Sequence, residues 1–97
     1  MIKWERDFFS IATRNGAGPE QREGFVDESR TFALYLRGDL IEMTHVPSGK
    51  RIAAAMSLAN ADRMVEHLLG MDVNWQNPNI ELSEMESVLI YSIVRRT

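Results

Sequence analysis

The apolar positions of this chain follow a helical period near the N-terminus, alternate through the middle, and return to a helical period towards the C-terminus. Trp4, Phe8, Ile11 and Ala12 are spaced i, i+4, i+7, i+8, as on one face of a helix. Glu5 and Asp7 near the start and Arg14 near the end suit the helix dipole, and Asn15-Gly16 supplies a stop. The spacing predicts a helix over 4–14; a strand over Phe9, Ile11 and Thr13 is the alternative. Residues 17–30 are polar, continue a Gly-Ala-Gly-Pro run and read as a loop. Loops this long are often functional or mobile.

Residues 31–37 alternate, with Phe32, Leu34 and Leu36 on one side. Gly38-Asp39 follows, and Gly at the first central position suits a type II′ two-residue hairpin. That turn sets Leu36 opposite Ile41, Leu34 opposite Met43 and Phe32 opposite His45, so the apolar sets of the two strands share a face. A four-residue turn, Pro47-Ser48-Gly49-Lys50, then sets His45 opposite Ile52, Met43 opposite Ala54 and Ile41 opposite Met56. The expectation is a three-stranded antiparallel meander with one apolar face. A one-residue slip would turn a strand's apolar set to water.

Ser57 fits an N-cap, Leu58, Ala61, Met64, Val65, Leu68 and Leu69 make one helix face, and Gly70 supplies the stop. That face should lie on the meander. Residues 71–81 read as a loop with Trp75 as its anchor. Ser83 with Glu86 fits a capping box, and the run 88–94 before Arg95-Arg96 is assigned to a second helix, although its β-branched composition also suits a strand. The fold expected is α+β: an N-terminal helix, the meander, then two C-terminal helices, forming a single domain over 1–97.

Length sets limits on function. Ninety-seven residues hold one modest core, with little room for a deep cleft as well. The chain has no cysteine, which excludes disulfides and thiolate metal sites and fits a reducing compartment. No apolar run approaches the ~20 residues of a membrane span, and charges stand where a signal peptide needs its apolar region; the chain reads as cytoplasmic. A net charge of −3 argues against a broad phosphate-binding face, and is too weak for a DNA mimic.

The short motifs read as structure. Ser48-Gly49-Lys50 lacks the remaining residues of a phosphate loop, since Thr44 and Arg51 occupy the decisive places. Arg37-Gly38-Asp39 is a hairpin turn. His45, at the end of the apolar strand face, is read as a core or rim residue rather than a catalyst. His67 lies among Asp62, Arg63 and Glu66 on a helix, and the two histidines do not have a metal-ligand spacing. No catalytic, cofactor-binding or metal site is expected. The order helix, three strands, helix over roughly 4–69 resembles the double-stranded RNA-binding domain, in topology alone. That family sets a lysine cluster at the start of its last helix, where this chain has Asn60 and Asp62; nucleic-acid binding is therefore a minor alternative.

The second face of the meander carries Ala33, Tyr35, Arg37, Leu40, Glu42, Thr44, Arg51, Ala53 and Ala55. Tyr and Arg beside apolar residues are typical of interface centres, so Tyr35, Arg37, Leu40, Glu42, Lys50 and Arg51 are the candidate partner-binding residues. Cover by the final apolar segment of the same chain is an equal alternative, and that segment, if left open on one side, would pair with a partner or form a homodimer. The expected function is a non-enzymatic protein-binding module that modulates or inhibits a macromolecular partner. Small inhibitors encoded by phages and mobile elements, anti-CRISPR proteins among them, are commonly short chains of this kind. A small enzyme or ligand-binding domain using His45 is the competing class; alternation turns Tyr35 and Glu42 away from His45, which counts against it.

Overall fold

The computed structural model describes residues 2–12, 18–55 and 57–80. Five strands, β1 (Trp4–Ile11), β2 (Glu20–Asp27), β3 (Phe32–Arg37), β4 (Leu40–His45) and β5 (Lys50–Ala55), precede one helix, α1 (Leu58–Leu69). The strands form a single antiparallel sheet in chain order.

This corrects the expected helix–meander–two-helix arrangement. Residues 4–11 form a strand, not the N-terminal helix over 4–14. The helical spacing counted Phe8 as a core residue, but Phe8 is 58% exposed and Phe9 is buried. The segment is rich in the aromatic residues that fit a pleated surface, and cross-strand pairing outweighs a weak local period. Residues 20–27, expected as part of a loop, are its partner β2, paired from Trp4↔Asp27 to Ile11↔Glu20. The polar sequence of β2 is explained by that pairing: Arg6 forms an ion pair with Glu23, and Gln21 donates to Ser10 at 2.6 Å. With a strand at 4–11, the likeness to the double-stranded RNA-binding domain falls away. The second C-terminal helix, expected from the Ser83 capping box and the run 88–94, lies outside the described residues.

The β3–β4 hairpin has the register that alternation gives, Phe32↔His45, Leu34↔Met43 and Leu36↔Ile41. Gly38 has a φ of 62° and Asp39 does not share a positive φ, as a type II′ turn requires. The β4–β5 register differs from expectation. His45 lies opposite Lys50, Met43 opposite Ala53 and Ile41 opposite Ala55, with an irregularity between Met43 and Thr44. The turn is one residue earlier, and Gly49 N donates to His45 O at 2.8 Å. Ala53 and Ala55 therefore leave the second face and join the core under α1. Three consecutive alanines after Ile52 carry almost no facial contrast, so the pattern could not fix this register.

Helix α1 begins where the sequence places it, with the Ser57 side chain accepting from Asn60 N at 3.2 Å, and it ends at Gly70. Its Ala61, Met64, Val65 and Leu68 pack on Phe32, Leu34, Met43, Ala53 and Ala55. Trp75 closes this core. Its indole donates to Leu68 O at 2.9 Å and its ring lies 5.1 Å from Phe32. His45 is part of the same closure: Nε2 donates to Trp75 O at 2.5 Å, and Nδ1 lies 2.7 Å from the Ser48 hydroxyl. Asp62 on α1 accepts from Ile2 N and the Trp4 indole, holding the start of β1 against the helix. At the β2–β3 corner, buried Asp27 accepts from Thr31 N at 2.8 Å and Phe32 N at 2.7 Å.

The sheet is strongly rolled. Strand β2 pairs with β3 only at Phe25↔Leu34 and Val26↔Ala33. At Gly24 the backbones approach so closely that a Cβ would lie 2.1 Å from Leu34 O. Beyond that point the β1–β2 hairpin turns across the second face. Phe9 stands 5.8 Å from the Tyr35 ring, and Ala12 N donates to Gly49 O at 2.8 Å. Phe9, Val26 and Ala33 form a second small core there, flanked by Ile11, Tyr35 and Val46.

Two stability outcomes follow. Gly24→Ala should cost about 3 kcal/mol or more, because the methyl meets a backbone atom that cannot turn aside. His45→Gln should cost about 2 kcal/mol by disturbing a buried pair of hydrogen bonds. Urea midpoints of the two variants against wild type measure both; unchanged midpoints would contradict the close approach at Gly24 and the closure at His45.

Candidate functional site

The rolled sheet leaves an open cavity of about 680 Å³ on its second face. Tyr35 and Arg37 from β3, Glu42 and Thr44 from β4, and Lys50 and Arg51 from β5 line it. Ile11 and Ala12, at the end of β1, form the opposite wall. Alternation puts Tyr35, Arg37, Glu42 and Thr44 on one face, and the register sets Tyr35 directly opposite Glu42.

Glu42 organises the site. Its side chain is only 8% exposed, and a buried carboxylate needs partners. The Tyr35 hydroxyl donates to Oε2 at 2.8 Å, Arg37 Nη1 donates to Oε1 at 3.3 Å, and Arg51 Nε stands 3.7 Å from Oε1. Partial burial pushes the Tyr35 phenol above its ordinary pKa of 10.0; the hydrogen bond to Glu42 and the charge on Glu42 add to this, while Arg37 and Arg22 oppose it. The guanidinium groups reach the carboxylate at one edge and remain open to solvent, with side-chain exposures of 70% for Arg37 and 59% for Arg51. Three cations, Arg37, Lys50 and Arg51, face one carboxylate in this cavity.

Of the six residues expected from sequence, five share this cavity. Leu40 does not; it stands opposite Arg37 at the hairpin end and is partly exposed. Ile11 and Ala12 were missed, because a helix over 4–14 could not bring them to β5. The alternative strand over Phe9, Ile11 and Thr13 is the signal in the sequence that points to Ile11. His45 lies on the helix face, away from Tyr35 and Glu42. Among the described residues no group of three His, Asp or Glu side chains is placed to hold a metal ion. No described helix is long and apolar enough to cross a membrane. A second concavity, about 410 Å³ and largely apolar, lies on the helix side between Phe25, Leu36, Ile41 and Leu58.

The raised Tyr35 pKa gives a signed outcome. Its contribution to stability is fully present below pH 10.0, the ordinary value, and is lost as pH rises through the higher folded value. Glu42→Gln should lower the Tyr35 titration midpoint towards 10.0 without reaching it, since burial remains. Ultraviolet difference titration, with Tyr35→Phe as the subtraction control, measures this; an unmoved midpoint would separate Tyr35 from Glu42. No protein family matches the chain, and comparison with curated proteins and with solved structures finds no match to either.

Proposed function

We propose that this chain is a non-enzymatic protein-binding module, acting in the cytoplasm, that modulates a macromolecular partner through the face formed by Tyr35, Arg37, Glu42, Lys50 and Arg51. One observation carries the reading: a phenol and two guanidinium groups converge on a single buried carboxylate at an open cavity. Tyr and Arg are the side chains that most often anchor interfaces. Holding them on a fixed acceptor lowers the entropy lost on binding.

The same geometry is poorly suited to catalysis. Glu42 is occupied by its donors, and the imidazole of His45 is engaged on the opposite side of the sheet. The net charge of −3 disfavours nucleic acid as the partner. Inhibitors of the anti-CRISPR kind remain the class that a chain of this size, without a catalytic motif, fits best.

Affinity capture from bacterial lysate, with and without nuclease, tests the reading. We expect one or a few proteins retained in stoichiometric amounts after nuclease. Arg37→Ala should weaken that retention about tenfold, or about 1.4 kcal/mol, with only a small fall in melting temperature, because Tyr35 still donates to Glu42. Tyr35→Phe is the companion variant, because the ring itself packs on Phe9 and must be kept. Retention that survives both variants would move the contact surface elsewhere, and retention only before nuclease would favour nucleic acid.

A further inference from the structure

We infer that the cavity between Arg37 and Arg51 receives an acidic side chain, Asp or Glu, from the partner protein. The inference rests on the protein-binding reading above and names the chemistry of its contact. A guanidinium carries five N–H donors in a planar fork. Glu42 takes one from Arg37 at 3.3 Å and none from Arg51, whose Nε stands at 3.7 Å, beyond hydrogen-bonding distance. No other side chain among the described residues shares a hydrogen bond with either guanidinium. Among the described residues most of both forks is therefore unused, and both guanidinium groups are exposed and held beside an open cavity by the attraction of Glu42.

Charge sets the class of occupant. With Lys50, the cavity keeps a surplus of cations over its one carboxylate, on a chain whose net charge is −3. A small local surplus on an acidic protein attracts one or two carboxylates at short range and repels an extended polyanion. A carboxylate also matches an arginine fork two oxygens to two N–H groups. The wall formed by Ile11 and Ala12 gives apolar contact to the methylenes that carry it.

Heteronuclear NMR titration of the full chain tests this with three probes: an octapeptide alternating Glu and Ser, its Gln counterpart, and an oligothymidylate of equal length. The Glu peptide should give saturable shifts at the amides of Arg37, Glu42 and Arg51 and at the arginine Nε–H signals. The Gln peptide should bind at least tenfold more weakly, and added salt should weaken the Glu peptide. Arg51→Lys, which keeps the charge and removes the fork, should lose part of the affinity, whereas Arg51→Ala should lose more. Equal shifts from the Glu and Gln peptides, shifts confined to another face, or tighter binding of the oligothymidylate would overturn the inference. The wild-type comparison stands even if a variant fails to fold. Binding of the Glu peptide with no protein retained from lysate would end the protein-binding reading and leave the acid site. A protein retained while the Glu and Gln peptides behave alike would do the reverse.

Discussion

The close approach of β2 to β3 at Gly24 is the constraint on which the rest of the molecule depends. A side chain at that point would enter the Leu34 carbonyl. Its absence lets β2 leave β3 after two paired residues and carry β1 across the second face. Phe9 then finds a core with Val26 and Ala33, and Ala12 reaches the β4–β5 turn at Gly49. A flat five-stranded sheet would leave Phe9 and Tyr35 in water and would form no cavity between β1 and β5. The roll therefore produces both the second core and the candidate site.

The two faces of the sheet divide the work. On one, α1 and Trp75 bury Phe32, Leu34 and Met43, and His45 satisfies both ring nitrogens within that closure. This face supplies most of the apolar burial. On the other, a smaller apolar cluster grades into a polar cavity centred on Glu42. A desolvated carboxylate is costly unless its lone pairs are filled, and here the filling groups are those best suited to recognition. Tyr35 joins the two functions: its ring belongs to the second core and its hydroxyl to the site.

Much of the site was legible because strand alternation is a strict two-fold rule. Once β3 and its two-residue turn were identified, Tyr35, Arg37 and Glu42 had to share a face and Tyr35 had to oppose Glu42. Arg51 kept its place on that face although the β4–β5 register shifted, because the irregularity beside Thr44 falls between it and the alanines. Ala53 and Ala55 did not keep theirs; alanine is too small and too neutral to announce which side it faces. Residues 4–11 and 20–27 depart from the sequence pattern for a related reason. Trp4, Phe8, Ile11 and Ala12 satisfy a helical period by coincidence, and the polar sequence of β2 gives no signal of pairing when read alone.

The sequence by itself determined the β3–β4 hairpin, the span and caps of α1, the anchoring role of Trp75 and the shared face of Tyr35, Arg37 and Glu42. Each follows from local rules of period, turn and cap that act within a few residues. Only the tertiary structure decided that residues 4–11 are a strand, that β2 is its partner, and that Ile11 and Ala12 stand across from Arg51. Those outcomes depend on contacts between distant segments, made possible by a missing side chain at Gly24, and the local pattern offers the first strand only as an alternative to a helix.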